Sequence, residues 1–418
     1  MTTTVHPAST AEVAEVLRRA SADGTPLVAV GGGTGLADAT RASDGEISLL
    51  TDRLKRLAPV DMAAAQVTVG AGVTLAELEN HVRAAGLEFP LDLGARQTAH
   101  LGGMAASNAG GSLAWRFGSM RDLVAGFEAV LADGSIVGSL AGLQKDNAGY
   151  DLRGLFMGSE GTLGVITALR LKLVQAMPAR ATALIAAGSP ERALAIGVHL
   201  RSTSPELIVC DFIAPRGTAL TCARLGVEPP VQPGGGWLVL AELGSQAGDG
   251  IEERLASAIA DSPGGAPEAA VAADSAQRDA IWRIRDSIYE ACEATGPTRK
   301  LDLSVGVSSI PGLAADVLEA LAAEGCDPAT DIAVWGHLLD GNFHATLMGP
   351  AATAEVEMAA TLSVQRHGGS VAAEHGVGRQ RLAVLGLTRT PSELAAMRAI
   401  RAALDPAGIL ARGRALPD

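Results

Sequence analysis

Two histidines in one short segment, W-G-H-L-L-D-G-N-F-H over residues 335–344, set the first chemical question. Asp340-Gly341 lies between them and is a strong hairpin signal, because a two-residue type I′ turn needs φ > 0 at both central positions. With those two residues as the loop, Leu339 pairs with Asn342, Leu338 with Phe343, and His337 with His344. Directly opposed residues on one face hold their Cβ atoms roughly 4.5–5.5 Å apart, so both imidazoles reach one cation. That is half of a metal site. The segment alone fits a hairpin that carries no metal equally well.

A second kind of chemistry is written in glycine. Residues 26–30 read as a short apolar strand running into Gly31-Gly32-Gly33-Thr34-Gly35. Consecutive backbone N–H groups in such a cluster turn inward and hold phosphate oxygens. The cluster is not a G-x-G-x-x-G fingerprint, since Leu36 stands where the last glycine is needed, and no Gly-Lys-Ser/Thr follows. The elements around it follow from periodicity. Residues 11–20 form a helix with Val13, Val16 and Leu17 on one face, capped by Ser9 or Thr10. Residues 66–70 form a strand, and residues 74–85 a helix capped by Thr74. Residues 89–111 are so rich in Ala, Gly and Ser that backbone must lie against whatever is bound. A third cluster at 158–164 leads into a strand at 165–173. Three small-residue loops suit a long, flat, phosphate-bearing ligand better than a compact nucleotide.

A chain of 418 residues has room for two or three domains with full cores. Aromatic residues are 3% of it, so those cores are built from Ala, Val and Leu. The net charge of −13 argues against nonspecific nucleic-acid binding. Cys210, Cys222, Cys292 and Cys326 form no C-x-x-C pair, which fits a reducing compartment. No apolar run approaches the roughly 18 residues that span a bilayer. The first ten residues lack a basic region followed by an apolar one. A cytoplasmic location is expected.

Five motifs in register then point to a family: G-G-G-T-G (31–35), P-L-D-L-G-A (90–95), G-G-x-x-A-S-N-A-G-G (102–111), K-D-N-A-G-Y-D-L (145–152) and G-S-E-G-T-L-G-V-I-T (158–167). Together they resemble the FAD domain of the vanillyl-alcohol oxidase (PCMH-type) superfamily, nearest its branch of D-2-hydroxyglutarate, D-lactate and glycolate dehydrogenases. The likeness runs over nearly the whole chain. It implies an α+β fold: a two-lobed PCMH-type FAD-binding domain (1–177), an α/β cap or substrate domain (178–369), and a C-terminal helical segment (370–418) returning to the FAD domain. It also implies that FAD is enclosed by Gly31, Gly32, Gly33, Thr34, Gly35, Pro90, Leu91, Asp92, Gly102, Gly103, Ala106, Ser107, Asn108, Gly110, Gly111, Glu160, Gly161, Gly164, Val165 and Ile166. Some relatives bind flavin covalently through a histidine in the first glycine loop. Thr34 holds that place here, so non-covalent FAD is expected.

Near Met177-Pro178 the glycine clusters thin out, and strands such as 207–213 and 237–243 alternate with Ala–Leu helices. Residues 233–236 and 262–267 read as loops. Lysines are scarce, at 55, 145, 172 and 300. Residues 282–289 read as one amphipathic helix with Arg285 and Tyr289 at i, i+4 on one face, and Lys300 begins a strand. In the resembling dehydrogenases an Arg and a Lys at these places grip the substrate carboxylate, a job suited to a planar guanidinium and an ammonium. Surface ion pairs are the alternative for both. Tyr289 stands where the hydroxyglutarate branch commonly carries Thr, which leaves the substrate's identity open. Asn342 joins the substrate-binding set by the same likeness.

The resemblance further implies His337, His344 and Glu374 as ligands of Zn²⁺ (or Mn²⁺ or Fe²⁺) and His375 as general base. Neighbours on a strand point to opposite faces, so Glu374 and His375 serve one site only if Gly376 and Gly378 bend the chain. Leu339 replaces a glycine of the family's G-H-L-G-D-G-N run. A helix is expected at 354–367 and another within 395–418, where Ala411-Arg412 replaces the family's Asn-Pro. The expected activity is FAD- and metal-dependent oxidation of a D-2-hydroxy acid to the 2-oxo acid by hydride transfer to flavin N5. A dicarboxylate such as D-2-hydroxyglutarate is favoured, because a monocarboxylate held by the metal would leave a buried cation unpaired. The alternatives are a D-lactate or glycolate dehydrogenase or oxidase, a metal-free flavin alcohol oxidase, and a flavin-binding protein without turnover. An electron-transfer flavoprotein, a quinone or oxygen would reoxidise the flavin, and a homodimer is the default assembly.

Overall fold

Two units divide the chain in the computed structural model: Met1–Ala176 with Glu374–Asp418, and Met177–Ala373. The structure describes residues 3–231, 236–248 and 250–417. The expected loop at 233–236 therefore lies, but for Gly236, outside the described residues, whereas 262–267 is a loop.

The first unit carries β1 (Thr3–Val5), β2 (Leu27–Val30), β3 (Ile47–Leu50), β4 (Gln66–Gly70), β5 (Leu87–Glu88), β6 (Val124–Val130), β7 (Ile136–Ser139), β8 (Val165–Lys172) and β9 (Val174–Gln175). They form a parallel sheet β1-β3-β2, an antiparallel sheet β4-β8-β6-β7, and the pair β5-β9. Parallel strands need a crossover, and the helix Thr10–Asp23, with Ser9 as its cap, carries the chain from β1 to β2, the two strands that flank β3. Its Val13 and Leu17 pack on Leu27, Leu49, Ile409 and Leu410. The helix Leu75–Arg83 starts at Thr74 with a capping box to Glu77.

Residues 409–411 return to this unit by backbone pairing. Leu27 N–H bonds to the carbonyl of Ile409, and Ala411 N–H bonds to that of Leu27. The buried carboxylate of Asp405, from the L-D-P-A-G-I-L run, accepts the amides of Ile409 and Leu410. Arg414 is fully buried and paired with both oxygens of Glu46. Ala411, in place of the family's Asn, has φ of 44°, a left-handed conformation that costs an L-residue roughly 1–2 kcal/mol. Ala411→Gly is expected to raise the melting temperature of the unit by about 2–4 °C. Calorimetry checks it, and no rise would mean that the strain is relieved elsewhere.

In the second unit, β10 (Ala179–Ala186), β11 (Leu207–Ile213), β12 (Leu238–Ser245), β13 (Ala269–Val271), β14 (Thr298–Ser304), β15 (Ile332–His337) and β16 (Asn342–Met348) form one antiparallel sheet. Its order is β13-β10-β12-β11-β15-β16-β14. The outer edge of β14 is covered by residues 370–373. Ser304 and Ser370 exchange two backbone bonds, and Ala373 N–H reaches the carbonyl of Asp302.

The single helix expected at 282–289 is two. Ser275–Asp286 ends at Ser287, whose φ of −86° and ψ of 3° are not helical, and Ile288–Glu293 begins there. Arg285 and Tyr289 thus lie on different helices. The tertiary anchors explain the break. Arg278, Trp282 and Arg285 fall at i, i+4 and i+7, and all three bond to buried carboxylates of the sheet. Glu242 on β12 takes Arg278 and the indole N–H of Trp282, and Asp211 on β11 takes Arg285. The shorter helix turns to bury Ile288, Ala291 and Cys292 instead.

Candidate active site

The hairpin exists in a register shifted by two residues from the expected one. His337 pairs with Asn342, and His344 pairs with Trp335 on one side and Asp302 on the other. Of Asp340 and Gly341 only the glycine has a positive φ, 82°, so the turn is not type I′. Burial decides against it. Leu338 and Leu339 are 0% and 6% exposed, and Leu338 N–H bonds to the carbonyl of Cys210, so neither is available as a turn-flanking pair across the hairpin. The loop becomes residues 338–341, with Asp340 Oδ1 accepting the amide of Asn342. Gly341 is pressed onto the chain, where an added Cβ would lie 1.9 Å from the carbonyl oxygen of Val305.

The two histidines still share a face, because a shift of two preserves the strand's alternation. They are diagonal rather than opposed neighbours, with ring centroids 5.5 Å apart at 84°. Each has a buried carboxylate beside it. Asp211 Oδ1 lies 2.8 Å from His337 Nδ1, and its Oδ2 accepts Arg285 Nε at 2.8 Å. Asp302 Oδ1 lies 3.4 Å from His344 Nδ1 and accepts Asn342 Nδ2 at 3.3 Å. Burial pushes the Asp211 carboxyl upward, yet His337 and the Arg285 guanidinium more than offset that and hold it below the usual carboxylate range. A carboxylate only accepts, so His337 presents Nδ1–H to Asp211 and keeps its lone pair on Nε2. Two buried imidazoles backed by carboxylates are the donor chemistry of a zinc-type site. His337 and His344 therefore fit a divalent cation.

The cations proposed for the substrate are already paired. Arg285 bonds to Asp211, and Lys300 Nζ lies 2.6 Å from Glu293 Oε1 and 4.7 Å from the centre of the Tyr289 ring. Tyr289 packs edge-on against Trp335, with centroids 4.6 Å apart. A monocarboxylate substrate therefore leaves neither cation unpaired, contrary to expectation: each has a carboxylate without any substrate. Asn342 Oδ1 is buried with no hydrogen-bond partner among the described residues.

In the first unit Glu374 and His375 lie on irregular backbone, with φ of 78° at Gly376 and 52° at Gly378, so the opposite-face rule of a strand does not apply. Glu374 Oε2 accepts the amide of Gly111 at 2.7 Å, and His375 Nε2 lies 3.5 Å from Glu374 Oε1. Glu160, expected beside the cofactor, spends its oxygens on the amides of Val377 and Gly378 at 2.7 and 2.8 Å. Burial raises its carboxyl above the ordinary range in spite of those bonds.

The glycine loops pack backbone on backbone. A Cβ on Gly32 would lie 1.8 Å from the carbonyl oxygen of Thr98, whereas at Gly33 and Gly35 it would meet nothing within 4 Å. Part of the small-residue pattern thus serves loop-to-loop contact, and part leaves an open face of backbone suited to FAD. Asn108 ends its helix at φ of 53°, and its Oδ1 accepts Ser119 Oγ and the amide of Arg121. Gly32→Ala is expected to produce protein largely without flavin. The ratio of absorbance at 450 to 280 nm, on the order of a tenth of wild type if the clash opens the loop, checks it.

Residues 176–415 match the family of FAD linked oxidases, C-terminal domain, and residues 2–139 match an FAD binding domain. The chain belongs to the FAD-linked oxidases. This FAD-linked oxidase is 33% identical, over 98% of its length and 88% of the relative's, to D-2-hydroxyglutarate dehydrogenase of Xanthomonas citri pv. viticola. It is 33% identical, over 99% of its length and 76% of the relative's, to the mitochondrial D-2-hydroxyglutarate dehydrogenase of Bos taurus. Its fold is shared with p-cresol methylhydroxylase, at a TM-score of 0.75, 16% identity, and coverage of 99% of this chain and 88% of that one. Alkyldihydroxyacetonephosphate synthase aligns at 0.71, 16% identity, 98% and 75%. The oxidase is an α+β member of the PCMH-type FAD superfamily and an FAD-linked oxidoreductase.

Asp211 and Asp302 escaped the sequence reading. Their signal was present: a lone carboxylate inside L-I-V-C-D-F-I and another inside L-D-L, both in strands otherwise destined for the core.

Proposed function

We propose that this FAD-linked oxidase converts a D-2-hydroxy acid, foremost D-2-hydroxyglutarate, to the 2-oxo acid with the help of a divalent metal. The observation that carries the reading is the pair of same-face imidazoles, each backed by a buried carboxylate. Likeness to D-2-hydroxyglutarate dehydrogenases over 98% and 99% of this chain supports the substrate class. His337, His344 and Glu374 would hold the cation, Zn²⁺ or else Mn²⁺ or Fe²⁺. When bound, the cation lowers the pKa of the substrate hydroxyl. Non-covalent FAD, when bound, supplies the hydride acceptor at N5.

His375 takes the hydroxyl proton, since neutral imidazole is matched to that task near pH 7. Asn342 is a further substrate-binding residue, its Oδ1 buried with no hydrogen-bond partner among the described residues. Arg285 and Lys300 orient the distal carboxylate with donors beyond those already given to Asp211 and Glu293. The proposal extends to reoxidation by an electron-transfer flavoprotein or a quinone, a homodimeric assembly and a cytoplasmic location. Among the described residues no helix is long and apolar enough to cross a membrane.

A smaller acid is the second reading, favoured by the paired state of Arg285 and Lys300 and by the bulk of Tyr289. Turnover of D-2-hydroxyglutarate, D-malate, D-lactate and glycolate with an artificial electron acceptor separates the two. The expected kcat/KM for D-2-hydroxyglutarate exceeds that for D-lactate by about 10²-fold, well short of the roughly 10⁴–10⁵-fold of a site whose polar groups are left unpaired, because Arg285 and Lys300 keep Asp211 and Glu293 as partners with either acid. A preference for D-lactate overturns the dicarboxylate assignment.

A further inference from the structure

Asp211 is the meeting point of two functions that the sequence kept apart. Its side chain is 1% exposed, and its two oxygens are divided between a histidine and an arginine, each at 2.8 Å. We propose that Asp211 is a shared positioning residue, which fixes His337 as the Nδ1–H tautomer with one oxygen and aims the Arg285 guanidinium with the other. The metal side and the anion-binding side of the site are then set by one carboxylate. The proposal rests on the metal reading of His337 given above.

The chemistry leaves no substitute for a carboxylate here. Both neighbours donate, His337 through Nδ1–H and Arg285 through Nε–H, so both oxygens must accept. An asparagine has one acceptor and one donor. If it turns its oxygen to Arg285, its NH₂ faces His337 and moves the ring proton to Nε2, which removes the lone pair a cation needs. If it turns its oxygen to His337, its NH₂ faces the Arg285 donor and pushes the guanidinium away. Glu242 offers an internal comparison. It is also buried and anchors the same helix through Arg278 and Trp282, yet it touches neither His337 nor Arg285 in these bonds.

The test uses the full-length flavin-loaded protein stripped of metal. Long-range ¹H–¹⁵N spectra of histidine-labelled protein read the His337 tautomer, and a Co²⁺ titration followed in the visible range reads affinity. Asp211→Asn is expected to lose the pure Nδ1–H pattern and to weaken Co²⁺ binding about 10–100-fold. Glu242→Gln is expected to lower thermal stability while leaving tautomer and affinity unchanged. Arg285→Gln, which retains Asp211, is expected to raise KM about tenfold or more at unchanged tautomer and affinity, and it serves if Asp211→Asn does not fold. An unchanged tautomer and Co²⁺ affinity in Asp211→Asn, or an unchanged KM in Arg285→Gln, would overturn the proposal. A tautomer switch in Asp211→Asn, with no Co²⁺ uptake even by wild type, upholds the positioning role and overturns the metal reading instead.

Discussion

His337→Ala and His344→Ala are each expected to abolish stoichiometric metal binding and to lower kcat/KM by at least about 10³-fold. Losing an outer partner of a metal ligand typically costs about 10–100-fold, and loss of the ligand itself exceeds that because the alcohol's pKa is no longer lowered. Flavin content is expected to hold, since the glycine loops that fit FAD belong to the other unit. Elemental analysis with the flavin spectrum checks both halves. A variant that keeps its metal, or works normally without it, contradicts the assignment.

His337→Ala carries a second consequence that can be read without substrate. Asp211 titrates below its ordinary value because His337 and Arg285 offset its burial. A depressed acid adds stability above its unfolded pKa, about 3.9, and loses it as pH falls through the folded value. Removing His337 takes away the leading group that offsets burial, so the carboxyl rises and acid destabilisation begins at a higher pH. Acid unfolding followed by circular dichroism reports the shift.

His375→Gln is the second large effect. It is expected to lower kcat by about 10²–10⁴-fold, the range for loss of a positioned general base, with flavin and metal retained. The wild-type pH profile of kcat/KM should fall on the acid side as the His375 imidazole protonates and can no longer take a proton. The variant's profile should lose that limb. A variant whose rate drops but whose acid limb persists would assign the proton to another group. Retention of both rate and limb would remove His375 from the chemistry.

Local elements were legible wherever one signal dominated. The strand at 66–70 and the Thr74 cap were legible from a short Val-rich run and from capping chemistry, although packing buries all five residues of the strand, Gln66 and Thr68 included. The shared face of His337 and His344 was legible too, because alternation survives an error of two in register. What failed was turn chemistry competing with burial. Asp340-Gly341 reads as a two-residue turn, but Leu338 and Leu339 go to the core and lengthen the loop. Arg285 and Tyr289 parted for a related reason, since helical spacing gives no warning that Asp211 will claim one of them. Long-range polar pairing of this kind leaves only a faint mark, a single charge in an apolar strand.

The most direct measurement is flavin bleaching at 450 nm by D-2-hydroxyglutarate under anaerobic conditions, made on protein as purified, after chelation, and after one equivalent of Zn²⁺ is returned. Bleaching that stops on chelation and resumes with metal, in step with the measured metal content, is the predicted result. Equally fast bleaching in metal-free protein would contradict it.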